Sequence, residues 1–217
     1  SGTVDYVDHF GEWPFEMSDL VLPMLGAHEA AKAATAIAAV RLFQAEGRPI
    51  SPKVISSNAI RTGLAKGGLP ARLQIVQQEP AILVDAAHNE PSVHALIEAI
   101  AVELPRFRRR TVLLAVSREK AIDEMLSLLA PHFDRIVCTR FVENPRAQPP
   151  GELAEAARRA AERGGCKKTP LIEAYEEPEA AWRAIRGDLA PNDLLCITGS
   201  FFIAAEMLAM LKALPPL

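Results

Sequence analysis

The residues whose types could do chemistry follow two short apolar runs of this sequence. A carboxylate, an imidazole and an amide come after the first run, and a glycine and a hydroxyl come after the second. A predicted helix follows each group, and the first turn of a helix has free backbone N–H groups and a partial positive charge. Both places therefore suit a phosphate or carboxylate ligand. The residues are Asp85, His88 and Asn89 after the run 81–84, and Gly199 and Ser200 after the run 194–198.

The same residue types also have structural uses, and the sequence leaves both interpretations open. Asp, Asn and Ser side chains accept backbone N–H groups at turns and helix starts, so Asp85, Asn89 and Ser200 are equally suited to capping. Arg72, before the first predicted strand, is by default a solvated side chain. The histidines and the three scattered cysteines show no ligand spacing, and we expect no metal site within the chain.

The elements that position these residues alternate regularly from about residue 70 onward. Strands followed by helices favour a mainly parallel sheet between two helical layers, and the short turn at 78–80 predicts a hairpin with one antiparallel strand. We therefore predict a three-layer α/β/α fold. Strands are expected at 73–77, 81–84, 111–116, 135–139, 171–174 and 194–198, and helices at 91–104, 120–130, 151–163, 178–187 and 202–214.

This predicted sheet brings the candidate site residues together. Ligands of open parallel sheets bind beyond the carboxyl ends of the strands. Asp85, His88 and Ser200 all follow strands that are expected to run in the same direction. We therefore expect these three residues to converge at one end of the sheet.

The first 70 residues follow a different pattern. An Ala-rich stretch predicts a helix at 26–46. Residues 5–24 contain two prolines and are expected to be irregular or in short extended segments. Residues 48–70 are rich in proline and glycine and are expected to form a connector with a short helix at 58–65.

Composition and charge exclude several classes of protein. The 24 basic and 27 acidic residues give a net charge of −3, which argues against a nucleic-acid partner, and the basic run 106–110 is interpreted as a solvated helix end. No uncharged run approaches the roughly 20 apolar residues of a membrane span. Scattered cysteines and a start without a basic, apolar leader favour a cytoplasmic location. The absence of an initial Met indicates either a tag remnant or a chain cut from a longer one.

Five motifs occur in the order that they have in one family of enzymes. Residues 69–76 read LPARLQIV and residues 83–89 read LVDAAHN, which resembles the pattern PGRLE followed by DGAHN. NPR at 144–146, TGSFF at 198–202 and GAHE at 26–29 resemble three further motifs. On these residues the chain resembles the folylpolyglutamate synthases and dihydrofolate synthases of the Mur ligase superfamily.

The resemblance implies a domain organisation. Residues 1–48 would be the tail of the family's ATP-binding domain, residues 49–69 a linker, and residues 70–217 a Rossmann-like Mur ligase carboxy-terminal domain with one antiparallel strand. The family's Gly-rich phosphate loop has no counterpart in these 217 residues. The resemblance therefore assigns most binding of ATP and Mg²⁺ to a missing amino-terminal ATPase domain, which would be a partner of this chain.

The resemblance also implies a reaction and a set of roles. ATP would phosphorylate the carboxylate of a folate or pteroate, and the amine of L-glutamate would attack the resulting acyl phosphate. Arg72 would face the ATP phosphates and Asp85 the ribose or adenine, and Lys32 stands at or near the place of an ATP-contacting Asn. His88 and Ser200 would lie near the incoming glutamate or the phosphate, as the catalytic residues.

Departures from the family pattern support an alternative function. Lys32 replaces the Asn, and Ser117, Arg118, Glu119 and Lys120 stand where the family has an acidic stretch. These changes favour a stand-alone Rossmann-like module that binds a nucleotide or an amino acid without turnover. In either case we expect that this chain alone does not ligate glutamate.

Overall fold

The computed structural model of this chain describes residues 2–10, 14–23, 27–45, 55–164 and 168–214. The chain divides into two compact units, Ser1–Arg72 and Leu73–Leu217. Each unit has its own buried apolar cluster. The interpretation of the first unit as the tail of an ATP-binding domain stays a prediction.

The first unit combines a β-hairpin with two helices. Strands β1 (Gly2–Asp8) and β2 (Phe15–Leu22) pair antiparallel, and helices α1 (Ala27–Ala45) and α2 (Ser57–Lys66) follow. Both predicted helices are confirmed over the residues that the structure describes. The core of this unit contains Tyr6, Met17, Leu20, Ile37 and Ile60.

Residues 5–24 were expected to be irregular or in short extended segments, and the extended alternative is confirmed for the residues that lie in β1 and β2. Both prolines lie outside the strands, Pro14 between β1 and β2 and Pro23 just after β2, so neither interrupts a strand. Alternate side chains of the hairpin are buried, and Asp8 is among them. Its carboxylate accepts hydrogen bonds from the Arg41 guanidinium at 3.1 and 3.2 Å and from the Tyr6 hydroxyl at 2.9 Å. The Arg41 hydrogen bonds hold the pKa of Asp8 below its usual range despite burial.

The second unit contains a six-stranded sheet in the order β3-β4-β8-β5-β6-β7, in which β3 is antiparallel to β4 and the other pairs are parallel. The fold is therefore the predicted Rossmann-like α/β fold. The strands are β3 (Gln74–Gln78), β4 (Ala81–Val84), β5 (Arg110–Leu114), β6 (Arg135–Cys138), β7 (Leu171–Ala174) and β8 (Leu194–Thr198). The helices are α3 (Glu90–Ile100), α4 (Ile122–Leu129), α5 (Pro150–Arg163), α6 (Pro178–Arg186) and α7 (Phe201–Ala213).

The strands are apolar because helices cover both faces of the sheet. Alternate residues of the strands, such as Val112, Ile136 and Cys196, join one core with α3, α4 and α5. The intervening residues, such as Leu113 and Ile197, are fully buried on the opposite face, where α6 and α7 supply apolar sides. The predicted helix at 91–104 ends earlier, at Ile100, and a short 3₁₀ helix follows at Leu104–Arg106.

The order of the strands in the sheet determines which loops become neighbours. Strand β8 is last in sequence but lies between β4 and β5. Its register pairs Ile197 with Val84 on one side and Thr198 with Leu114 on the other. Because the three strands are parallel, the loops after them leave the sheet at the same edge, side by side.

From the sequence, the basic run 106–110 is interpreted as a solvated helix end. In the structure, several of its arginines form ion pairs with carboxylates. Arg108 and Arg109 contact the carboxylate of Asp193 at 3.2 and 3.1 Å, and Asp193 also accepts from the Ala190 amide at 3.0 Å. Arg110 pairs with Asp134 at 3.0 Å at the start of β5. These ion pairs lie at the amino ends of the central strands, away from the carboxyl-end loops, and fix the loop that enters β8.

The buried Asp193 carboxylate makes the stability of this unit depend on pH. Burial raises the pKa of Asp193, but the Ala190 amide and the two guanidinium groups lower it by more, and the net shift is downward. A carboxylate whose folded pKa lies below its unfolded value stabilises the fold above the unfolded pKa, and this contribution is lost as the pH falls through the folded pKa.

We predict that Asp193→Asn lowers the free energy of unfolding by about 2 kcal/mol at neutral pH. The difference from the unmodified chain should begin to shrink as the pH falls below about 4, where the unfolded carboxylate protonates, and should be lost as the pH falls through the lower folded pKa. Urea unfolding followed between neutral pH and about pH 3 measures both effects. Asp123→Asn is the control, because that exposed carboxylate meets Arg159 and Arg163 only at 3.8 and 3.7 Å. A difference that does not change with pH contradicts the prediction.

Candidate functional site

The loops that follow β4 and β8 run side by side beyond the carboxyl edge of the sheet. The Asp85 amide donates to the carbonyl oxygen of Ile197 at 2.9 Å, and the Gly199 amide donates to that of Ala87 at 3.0 Å. The rings of His88 and Phe201 lie 5.3 Å apart. The structure therefore confirms that Asp85, His88 and Ser200, next to these contacts, converge at one end of the sheet.

Gly199 permits the close approach of these loops. Its φ is +110°, in the region that favours glycine. A Cβ placed there would lie 2.6 Å from the carbonyl oxygen of Ala115, which follows β5, and 2.8 Å from a methyl group of Leu114. The turn from β8 into α7 therefore passes directly against the end of β5, and any side chain would push the two apart.

The carboxylate of Asp85 is buried and accepts a backbone hydrogen bond at each of its oxygens. Its Oδ2 accepts from the Leu73 amide at 2.9 Å, and its Oδ1 accepts from the Ala87 amide at 2.8 Å. Leu73 and Ala71 both have a positive φ, at 44° and 57°, a conformation that costs a non-glycine residue about 1 kcal/mol or more. Asp85 thus links a strained turn before β3 to the loop after β4. Arg72 lies inside that turn.

The His88 ring has a fixed orientation. Its Nδ1 lies 2.9 Å from the carbonyl oxygen of Ala86, and because a carbonyl oxygen only accepts, Nδ1 carries the proton of the neutral ring. Nε2 is then the nitrogen that accepts a proton or a hydrogen bond. Asn89 and Ser92 form a reciprocal capping box at the start of α3, so the structural interpretation of Asn89 is confirmed.

Ser200 caps α7. Its Oγ accepts from the Ile203 amide at 3.2 Å, and the residue is almost fully buried. A serine hydroxyl has one donor and two acceptor positions, so the cap leaves its proton able to donate to an anion. The capping use and the ligand use of Ser200 are therefore compatible.

A second group of loops, after β5 and β6, extends the same edge of the sheet. The NPR loop contacts the loop after β5 through the Arg118 amide, which donates to the Arg146 carbonyl oxygen at 3.0 Å. The carboxylate of Glu206 on α7 accepts from the Val142 and Glu143 amides at 3.0 and 3.1 Å. These contacts join the NPR loop to the helix that begins after Ser200.

These loops enclose a small cavity that the sequence alone did not reveal. It has a volume of about 210 Å³, and Arg118, Arg140, Asn144 and Glu176 are among its lining residues. Arg118 and Arg140 are 22 positions apart in sequence, and only the packing of the loops after β5 and β6 brings them to one cavity. Both also contact protein acceptors, Arg118 the Ala147 carbonyl oxygen at 3.1 Å and Arg140 the Glu176 carbonyl oxygen at 3.1 Å.

Lys32 lies in the first unit, on α1. Its ammonium group is 2.6 Å from the carboxylate of the buried Glu29, one turn earlier on the same helix. Lys32 thus forms an ion pair within its own helix. The predicted contact of Lys32 with a nucleotide stays a prediction.

Two classes of site find no support in the described part of the chain. Burial raises the pKa of the Cys138 thiol to about 12, and burial and the nearby Asp85 carboxylate raise that of the Cys196 thiol, so neither is a nucleophile at neutral pH. Within the described ranges, no three His, Cys, Asp or Glu side chains group closely enough to hold a metal ion. None of the helices described is long and apolar enough to span a membrane.

Comparison with known proteins agrees with this geometry. Residues 71–201, which include the strained turn, the sheet and the loops at its carboxyl edge, match the family model of the Mur ligase glutamate ligase domain. The chain belongs to the Mur ligase family. It is 36% identical over 140 residues to the dihydrofolate synthase/folylpolyglutamate synthase of Mycobacterium tuberculosis, covering 64% of this chain and 28% of that protein. It is 28% identical over 211 residues to the Escherichia coli protein of the same name, covering 95% of this chain and 44% of that protein.

Solved structures of this Mur ligase family share the fold. The Mycobacterium tuberculosis folylpolyglutamate synthase complexed with ADP and AMPPCP superposes with a TM-score of 0.73 at 30% identity, covering 93% of this chain and 44% of that one. A bifunctional folylpolyglutamate synthase/dihydrofolate synthase with Mn, AMPPNP and L-glutamate bound gives 0.68 at 26% identity, covering 90% of this chain and 42% of that one. The chain thus spans less than half the length of these relatives.

We predict that Gly199→Ala lowers the free energy of unfolding by about 3 kcal/mol, because the new Cβ overlaps the Ala115 carbonyl oxygen and the left-handed φ becomes strained. Gly151→Ala is the matched control in the same unit. A Cβ there meets nothing within 4 Å, and the residue lies in the first turn of α5, so we expect no loss of stability. Thermal and urea unfolding measure both variants. Equal stability of the two variants contradicts the predicted close contact.

Proposed function

We propose that this chain is the glutamate-binding part of an ATP-dependent ligase that joins L-glutamate to the carboxylate of a folate or pteroate. One observation carries the proposal: the strained turn with Arg72, the His88 loop and the Ser200 cap meet at one sheet edge, within the segment that matches the glutamate ligase domain. The names of the relatives support the substrate class, and the bound AMPPNP and L-glutamate in one of them support the two small-molecule substrates.

The proposed reaction has two steps. The γ-phosphoryl group of ATP passes to a carboxylate oxygen of the folate or pteroate, which gives ADP and an acyl phosphate. The amine nitrogen of glutamate then attacks the acyl carbon, an amide bond forms, and phosphate leaves with the electron pair of the broken C–O bond. The substrates supply both nucleophiles. The tasks left to the protein are positioning, charge stabilisation and exclusion of water.

The site residues suit these tasks. We assign Arg72 to the phosphates, because a guanidinium group donates two parallel hydrogen bonds to phosphate oxygens. His88 offers Nε2 as an acceptor for a proton of the attacking amine, and its Nδ1 contact holds the ring for that use. Ser200 offers its hydroxyl proton, at the start of α7, to a carboxylate or phosphate oxygen.

The binding of ATP and a divalent cation requires more ligand groups than the described residues supply. The described residues contain no set of three metal ligands, and the sequence contains no Gly-rich phosphate loop. We therefore assign Mg²⁺ and most phosphate contacts to an ATPase domain outside these 217 residues. Mg²⁺ would neutralise charge on the transferred phosphoryl group, while the residues here close the site from the opposite side.

One observation favours a second candidate, a stand-alone module that binds a nucleotide or an amino acid without turnover. Lys32 forms an ion pair with Glu29 at 2.6 Å, whereas the family pattern has an uncharged Asn at or near the place of Lys32. With a paired lysine at or near that place, α1 would lack the Asn that contacts ATP in the ligases. The complete reading frame discriminates between the candidates, because a ligase needs a phosphate loop encoded upstream.

The ligase proposal predicts that turnover requires the complete reading frame. The 217-residue chain should release no ADP above background when it receives ATP, Mg²⁺, a folate substrate and L-glutamate, since an exposed ion pair with a nucleotide contributes only about 0–1 kcal/mol. The product of the complete reading frame should release ADP only when both the folate and glutamate are present. Turnover by the short chain contradicts the division of roles, and an inactive complete product supports the binding module.

A second prediction concerns His88. In the active complete product, His88→Gln should lower kcat/KM for glutamate about 100-fold, because the amide side chain cannot take a proton from the amine. His94→Gln is the control, since His94 is exposed on α3 and its Nδ1 lies 3.5 Å from the Glu98 carboxylate. Steady-state kinetics with varied glutamate measure both variants. If the two variants have equal kinetics, His88 takes no part in the reaction, and the prediction is wrong.

A further inference from the structure

Glu206 is a carboxylate in the middle of a helix that is otherwise almost entirely apolar. Helix α7 reads FFIAAEMLAMLKA, in which Glu206 and Lys212 are the charged residues. The Glu206 carboxylate accepts from the Val142 amide at both oxygens, at 3.0 and 3.1 Å, and from the Glu143 amide at 3.1 Å. Two successive backbone N–H groups that converge on one anion form a strong, charge-assisted contact. The reaction proposed above gives this carboxylate no role.

The loop between β6 and α5 is anchored near both of its ends by other contacts. Near its start, Phe141 is 1% exposed, and its ring lies 4.9 Å from that of Phe202 on α7. Near its end, the Gln148 amide donates to a carbonyl oxygen of the loop after β5 at 2.9 Å. The stretch between these anchors, 142–146, is largely exposed. The hydrogen bonds of Glu206 hold the first two residues of this stretch on α7.

This loop supplies most of the wall of the cavity of about 210 Å³. Arg140 and Asn144 line the cavity from this loop, and Arg118 lines it from the loop after β5. Arg140 also pairs with two glutamates of the loop after β7, at 3.6 and 3.5 Å. Glu206 lies outside the lining of the cavity, so it acts on the cavity through the loop. The position of Arg140 and Asn144 relative to Arg118 therefore depends on where the loop rests on α7.

The cavity begins beside the turn that leads to Ser200. Strand β5 pairs with β8, so the loop after β5 leaves the sheet one strand spacing, about 5 Å, from the turn after β8. Guanidinium groups bind carboxylates through strong, charge-assisted hydrogen bonds, and L-glutamate has two carboxylates. The loops that carry Arg118 and Arg140 therefore offer the donors that a carboxylate of this substrate requires.

We propose that Glu206 is a positioning residue for the binding of L-glutamate: it fixes the loop between β6 and α5 on α7 and so keeps Arg140 and Asn144 in place for the substrate. The inference rests on the proposed function for the identity of the substrate, whereas the anchoring of the loop rests on the hydrogen bonds of Glu206. Loss of the carboxylate releases the exposed stretch 142–146, while the ring contact of Phe141 keeps the start of the loop in place.

The anchoring of the loop is tested first in the 217-residue chain, without any activity assay. Relaxation of the backbone amide nitrogens should give order parameters of about 0.85 for Val142 and Glu143, and Glu206→Ala should lower both to about 0.6 or below. The amides of β6 should stay near about 0.85 in the variant, which shows that the sheet is folded. Glu162→Ala, at an exposed position on α5, is the matched control and should leave both values unchanged. Unchanged values in Glu206→Ala, or values below about 0.6 in the unmodified chain, overturn the anchor.

The positioning role is tested in the active complete product by separating KM from kcat. Glu206→Ala should raise KM for L-glutamate about 10-fold and leave kcat and the KM for ATP within about 2-fold of the unmodified enzyme. Glu206→Gln keeps one acceptor oxygen and should give an intermediate KM. Glu162→Ala should have the kinetics of the unmodified enzyme. A smaller folded fraction lowers kcat at unchanged KM, so that result overturns the positioning role, as does an unchanged KM without any loss of kcat.

A double-mutant cycle tests whether Glu206 acts through the cavity wall. Arg140→Gln should raise KM for L-glutamate about 30-fold, and Glu206→Ala should raise it by less than about 2-fold more in that background, because both changes act on the same wall. An unchanged KM in Arg140→Gln, or independent multiplication of the two effects, overturns this route. If the complete product is inactive, the proposed function and the kinetic role of Glu206 fail together, while the order parameters still decide whether Glu206 anchors the loop.

Discussion

The close approach of backbone at Gly199 is the constraint on which the candidate site depends. The carbonyl oxygen of Ala115 occupies the space of the missing Cβ, and the Gly199 amide reaches the Ala87 carbonyl oxygen at 3.0 Å. Without that approach the loops after β4, β8 and β5 would separate, and no carboxylate, imidazole and hydroxyl would share one edge of the sheet. The insertion of β8 between β4 and β5 brings about this contact, since it places the end of β8 one strand spacing from the ends of both β4 and β5.

Structural and functional uses of the same polar groups coincide in this site. Ser200 caps a helix and keeps a proton to donate, and His88 uses one ring nitrogen to fix the orientation of the other. Both carboxylate oxygens of Asp85 accept hydrogen bonds from backbone amides. Each of these polar side chains is held in place by a hydrogen bond to the backbone of the loops or the helix around it.

Charge is arranged differently at the two ends of the sheet. At the amino ends, the guanidinium groups of the run 106–110 meet the carboxylates of Asp193 and Asp134, and their charge is used in holding loops. At the carboxyl edge, Arg118 and Arg140 line a cavity with Asn144 and Glu176. Arg140 is also paired, with Glu176 and Glu177, but it lines the cavity as well, and the near-neutral composition does not show this arrangement.

The sequence by itself determined the alternation of strands and helices in the second unit, because buried strands and amphipathic helices have different apolar periods. It also determined which residues could do chemistry, because only a few polar side chains follow apolar runs. Tertiary structure decided how they are used. The ion pairs of the run 106–110 and the cavity between Arg118 and Arg140 join residues distant in sequence, and the carboxylate of Asp85 accepts from the Leu73 amide 12 positions away. Such contacts depend on strand order and backbone register, and no local pattern encodes the place of β8 between β4 and β5.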